Sequence, residues 1–172
     1  MSVVEKIQAI LSTFSGRGGV AACPLDKDEA PVTVNAEEVF PIASAIKVAI
    51  LIEVMAQVEA GRLTLDERIM VRAENKVDGT GVLKVLGSNI ELSLLDLCRL
   101  MIVVSDNTAT NLLLDRLGGP ESGSRRMAEW GLPAIQLRSR IDFERLWAQG
   151  PESFSVATPA AFAELLTRLG RH

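Results

Sequence analysis

Histidine occurs once, at His172, tyrosine is absent, and cysteine is confined to Cys23 and Cys98. That inventory is too small and too scattered for a closed zinc site of the usual ligand spacing, so the expected metal and cofactor complement is none. A site built of carboxylates stays open at this level. The two cysteines read as free thiols, since cysteine is among the most buried residue types; nothing in their placement forces a disulfide. Dense basic clusters are missing: 18 Lys and Arg stand against 22 Asp and Glu, for a formal charge of -4. Such a chain does not attract a polyanionic backbone, which excludes nucleic acid as the expected partner. The first residues carry no basic stretch followed by an apolar run, so no secretory leader is expected in them. Phe40 to Met55 is strongly apolar, but Lys47 and Glu53 interrupt it, and no membrane span is predicted.

What the chain does contain is globular. Apolar residues make up 48% and charged residues 23% of its 172 positions, enough for one domain, 1–172, with a real core. Val3, Ile7, Ile10, Leu11 and Phe14 recur at helical spacing over 3–14. Val20 to Leu25 and Val32 to Val34 read as a hairpin around a charged turn at Asp26 to Ala30. Ser44 to Ala60 lacks proline and glycine and is apolar around nearly its whole circumference, the pattern of a buried helix. Leu63 to Val71 reads as a link and Asp78 to Gly81 as a tight loop. Leu92 to Val104 is a helix with Ser93 and Asp96 in capping register. Further helices run from Ser105-Asp106 to Leu117 and from Pro120 to Trp130. Pro133 to Gly150 is less regular, and Thr158 caps a last helix with Pro159 at its first position. One hairpin and about six helices make an α+β fold. Its sheet is incomplete, because an apolar strand such as Val20 to Cys23 leaves an unsatisfied edge. A homodimer or a further C-terminal segment is expected to complete it, and the chain alone is expected to dimerise, aggregate or be marginally stable.

Two clusters carry chemistry. Ser44 and Lys47 are three residues apart at the start of a buried helix, which puts their side chains on one face. A helix N-terminus favours a developing oxyanion. Serine needs a base, and a lysine held in apolar surroundings has its pKa lowered enough to be one. The plainer reading makes Ser44 a cap and Lys47 a snorkelling side chain. Ser-x-x-Lys alone arises by chance in about half of chains this long. Ser105-Asp106-Asn107 is sharper, since a fixed tripeptide arises in only about a few per cent. It follows an almost wholly aliphatic helix and therefore sits at the mouth of a core. Ser105 can donate to a leaving group, and Asn107 can hold both an amide and a lysine; a plain helix cap is the other reading.

On these residues the chain resembles the class A beta-lactamases and related penicillin-recognising serine hydrolases. Phe40-Pro41-Ile42-Ala43-Ser44-Ala45-Ile46-Lys47 looks like their nucleophile segment. Val104 to Leu113 looks like their second motif nearly residue for residue, and Gly79-Thr80-Gly81-Val82-Leu83 like the loop between the two. The resemblance covers about residues 20–170, with Ser105 lying 58 residues after Lys47. It implies a beta-lactamase/transpeptidase-like fold and an acyl-enzyme on Ser44, formed from a beta-lactam or a related amide or ester. Lys47 is then the proton partner, Ser105 relays a proton to the leaving nitrogen, Asn107 orients Lys47 and the substrate amide, and Asp106 braces the loop. The partner implied is a small-molecule acyl substrate.

Two departures qualify the resemblance. No Lys-Thr-Gly or Lys-Ser-Gly follows Asn107, so the family's cationic C-terminal strand and its second oxyanion donor have no counterpart, and the domain reads as C-terminally truncated. The family's Glu-x-x-x-Asn arrangement is also missing. Asp142 and Glu144 are the carboxylates left to drive deacylation, within an arginine-rich stretch that reads equally as a salt-bridged loop. These departures favour a weakly acylating, penicillin-binding-like or non-catalytic module as the alternative function.

Overall fold

A computed structural model describes residues 1–26 and 30–171; the middle of the expected charged turn at Asp26 to Ala30 lies outside them. The contacts divide the chain into two compact units, Met1–Phe40 with Ala157–His172, and Pro41–Val156. The architecture is α+β, with seven α-helices and small antiparallel sheets among the described residues.

In the first unit, α1 (Val3–Ser12) opens on a capping box in which Ser2 and Glu5 satisfy each other's backbone N–H groups. The hairpin forms as expected: β1 (Val20–Ala22) pairs antiparallel with β2 (Val32–Val34) in the register Val20↔Val34. The apolar stripe of α1 does not become core. The helix has no buried residue, and Ile10 is 68% exposed.

The second unit holds the core. The chain enters it at the end of β3 (Phe40–Pro41), passes through a 3-10 turn at Ala43–Ile46, and continues into α2 (Lys47–Glu59). The expected single helix from Ser44 is therefore two elements. Ala43, the first residue of the turn, has φ +44°, so no helical path runs into Ser44 from its N-terminal side. Leu63 to Val71 is more than a link, because β4 (Arg68–Val71) pairs antiparallel with β5 (Ile90–Ser93). Isolated strands this short carry too little periodicity to separate from loop.

Next, α3 (Leu94–Val103) is capped by Ser93, whose hydroxyl accepts from the Asp96 N–H as the capping register predicts. Then α4 (Asn107–Arg116) is capped by Asp106, and α5 (Glu121–Glu129) stops before Gly131. The region 133–150 contains β6 (Gln136–Leu137) and α6 (Phe143–Gln149), neither of which its irregular pattern predicted. Within this unit β7 (Ser155–Ala157) pairs antiparallel with β6 through Gln136↔Val156 and Leu137↔Ser155. In the first unit Thr158 caps α7 (Pro159–Gly170), as expected. Ile50, Val54, Leu94, Leu97, Met101, Leu113 and Met127 are fully buried where α2, α3, α4 and α5 pack together. Among the described residues no helix is long and apolar enough to cross a membrane. Both cysteines are free, and burial pushes the Cys98 thiol up to about 11.

Among the described residues one buried carboxylate of the core is held in an ion pair. Glu53 on α2 is 5% exposed and accepts from Arg126 Nε of α5 at 2.7 Å, with Gln57 donating to its other oxygen at 2.8 Å. The guanidinium and the amide satisfy a carboxylate that would otherwise be costly to bury.

Candidate active site

Three segments of the second unit converge: the start of α2, the turn between α3 and α4, and the loop at Asp78 to Leu83. The centre is Lys47. Its side chain is 2% exposed, and its ammonium donates to Ser105 O at 2.7 Å, Ser105 Oγ at 2.9 Å and Asn107 Oδ1 at 3.2 Å. Three acceptors match the three donors of a lysine ammonium. Burial nevertheless pulls its pKa from 10.5 down to about 8, against the opposing pull of the Asp106 charge.

The turn that presents these acceptors is strained. Ser105 has φ +55°, the left-handed region that a residue with a side chain rarely adopts, at a cost of about 1–3 kcal/mol. Two anchors support it. The Thr80 hydroxyl donates to Ser105 O at 2.7 Å. Asp106, 1% exposed, accepts from three backbone N–H groups: Ala109 at 2.9 Å on one oxygen, Val82 at 2.6 Å and Leu83 at 2.9 Å on the other. One carboxylate thus caps α4 and ties the 78–83 loop to it. That grip requires Gly81, whose φ is +110° and where a Cβ would lie 2.3 Å from the Asp106 carboxylate. Asn107 completes the joint, with its amide donating to Asp78 O at 2.8 Å and its own N–H to Thr80 O at 3.1 Å.

Ser44 lies in the 3-10 turn, exposed to solvent. In such a turn residues three apart are eclipsed, so Ser44 and Lys47 share a side of the chain. Among the described residues no hydrogen bond joins the Ser44 hydroxyl to Lys47. The preceding Ala43, at φ +44°, is held by Ser155, a residue with no solvent exposure whose hydroxyl donates to Ala43 O at 3.2 Å. Ile42 N–H also donates to Ser155 O, at 3.3 Å. The strand β7 thereby fixes the backbone that presents Ser44.

Asp142 and Glu144 belong to the N-terminus of α6. Asp142 caps α6 by accepting from the Arg145 N–H at 3.2 Å, and Glu144 is exposed in the first turn of the same helix. Neither carboxylate bonds to Ser44, Lys47, Ser105 or Asn107 among the described residues. Asn111 is the residue that the sequence did not flag. Buried one turn after Asn107, its side chain both donates to Ile141 O and accepts from Ile141 N, at 2.9 Å each. It clamps the 140–142 segment to the helix that carries Asn107. The signal available was an asparagine four residues after Asn107 within a buried helix, where an amide needs partners. Among the described residues no group of three or more His, Cys, Asp or Glu is placed to hold a metal ion.

A family model described as the beta-lactamase enzyme family matches residues 2–172. The chain belongs to that family. Among solved structures, a mutant of PBP-A captured as an acyl-enzyme complex with penicillin G is 31% identical, with a TM-score of 0.84 over 98% of this chain and 61% of its own. A beta-lactamase from Sphaerobacter thermophilus is 32% identical, with a TM-score of 0.83 over 98% of this chain and 62% of its own. An ancestral class A beta-lactamase is 31% identical, with a TM-score of 0.85 over 98% of this chain and 64% of its own. The chain thus spans a little over three fifths of the length of these relatives. Their fold accounts for the α+β arrangement of this family member and for its small antiparallel sheets.

Proposed function

We propose that this beta-lactamase family chain forms an acyl-enzyme on Ser44 from a beta-lactam or a related amide or ester. One observation carries the reading: a buried lysine with a pKa lowered to about 8, its ammonium gripped by Ser105 and Asn107 one helical turn from an exposed serine. Lys47 in its neutral form takes the Ser44 hydroxyl proton as the Ser44 oxygen bonds to the carbonyl carbon. The Ser44 N–H stabilises the oxyanion. Ser105 passes its hydroxyl proton to the leaving nitrogen as the C–N bond breaks, and regains one from Lys47. Asn107 holds Lys47 and the amide of the substrate in register.

The test is intact mass after incubation with a penicillin. A single adduct on Ser44, absent in Ser44→Ala, is the expected result; no adduct on the wild type sinks the reading. The acylation rate should also rise with pH through an apparent pKa near 8, because only neutral Lys47 accepts the proton and roughly a tenth of it is neutral at pH 7. A rate independent of pH between 6 and 9 would remove Lys47 from the role of base.

A second reading is supported by Asp142 and Glu144. One caps a helix and the other is exposed, and among the described residues neither bonds to Ser44, Lys47, Ser105 or Asn107. On this reading the chain acylates and releases slowly, as a penicillin-binding-like module. Multi-turnover hydrolysis of a chromogenic cephalosporin separates the two readings.

A further inference from the structure

Beside the Lys47 cluster lies a groove of about 740 Å³ whose lining runs from Asp78 and Gly79 past Ile141 and Phe143 to Trp147. It adjoins the candidate site directly: a Cβ at Gly79 would lie 2.6 Å from both Asn107 Nδ2 and Phe143 Cζ. Its far wall is aromatic. Trp147 is 82% exposed, and its ring centroid is 5.9 Å from that of Phe143 at a tilt of 46°. The open face of Trp147 is available to a ligand.

The charges of the groove select the ligand. Four carboxylates line it, Glu74, Asp78, Asp142 and Glu144, against two cations, Lys76 and Arg140. Arg140 is paired with Asp115, while Lys76 donates to the Leu86 carbonyl and keeps its charge. Of the carboxylates only Asp142 is engaged, in its cap. Among the described residues Glu74, Asp78 and Glu144 form no ion pair, and no hydrogen bond reaches their carboxylates. Exposed aromatic faces and unpaired carboxylates favour the same ligand chemistry, an ammonium group. An anionic group in the same place meets four carboxylates against Lys76 and the Asp115-paired Arg140, a net repulsion.

We infer that this groove receives the acyl arm of the substrate and selects an arm that carries a positively charged amine. The inference rests on the acyl-enzyme reading of Ser44 and specifies its substrate class. The probes are three penicillins built on one phenylacetyl scaffold, with an α-amino group (ampicillin), an α-carboxyl group (carbenicillin) or neither (benzylpenicillin). The wild type should acylate at least about 10-fold faster with the amine than with the carboxylate at low salt. The ratio should fall toward one in 0.5 M NaCl, as screening predicts. Glu74→Gln and Trp147→Ala should each lower the amine's advantage over the carboxylate. Equal rates, or a faster reaction with the carboxylate, overturn the inference. Should no probe label Ser44, the acyl-enzyme reading has failed, and Ser44→Ala then tests the groove by itself. Titration of its tryptophan fluorescence should show tighter binding of the amine than of the carboxylate, with the difference reduced in Glu74→Gln. Indistinguishable titrations overturn the groove assignment independently of the chemistry.

Discussion

Replacing Lys47 with alanine is expected to slow acylation of Ser44 by about 10²–10⁴-fold, the usual contribution of a general base. The serine hydroxyl has no alternative proton acceptor in the cluster. Ser105 Oγ and Asn107 Oδ1 both accept from Lys47, and neither is basic. The substitution should not unfold the chain. It removes a charge that burial disfavours and leaves the Ser105 carbonyl still bonded to the Thr80 hydroxyl. The measurement is the rate at which the penicillin adduct appears in intact mass, with circular dichroism as the control for folding. Partial recovery of rate on adding a small primary alkylamine would identify the missing group as an amine. A folded Lys47→Ala protein that acylates within about 10-fold of wild type would assign the base elsewhere.

Replacing Asp106 with alanine should produce the largest loss of stability of any single change in this region. It leaves the N–H groups of Val82, Leu83 and Ala109 without an acceptor in a buried joint. Unsatisfied buried donors cost about 1–3 kcal/mol each, and partial relaxation brings the sum to about 3–5 kcal/mol. For a chain of this size that is a fall in Tm of roughly 10 °C or more. The gentler Asp106→Asn separates two effects. It keeps the shape but removes the negative charge, and that charge is what raises the Lys47 pKa against the pull of burial. The acid limb of its acylation profile should therefore move below the wild-type position near pH 8. A limb that stays fixed, or moves upward, would mean that Asp106 does not act on Lys47 through charge.

The sequence was most informative where one residue has several jobs. Ser105-Asp106-Asn107 stands out because a polar triplet after an aliphatic helix must find partners. All three do, in Lys47, in three backbone N–H groups and in Asp78 O. Caps were legible for the same reason: Ser93, Asp106 and Thr158 each accept from an N–H in the first turn of their helix. Backbone turns that run against residue preference were not legible. Nothing in Ala43 announces a φ of +44°, since that conformation is imposed from outside by Ser155, 112 residues away in the chain. The short strands β4, β5, β6 and β7 escaped for want of length. The Asn111 clamp escaped because its partners are the main-chain atoms of Ile141, to which side-chain identity is silent.

The left-handed conformation of Ser105 has an evolutionary side. Glycine would occupy φ +55° at no steric cost, so backbone strain alone favours glycine over serine at this position. Only the hydroxyl argues for serine. In a lineage released from selection for acyl transfer, Ser105 would be among the first residues of the cluster to turn to glycine, while Asp106, which holds the joint together, would outlast the activity it once served. In such a lineage glycine beside an intact aspartate is the expected pattern.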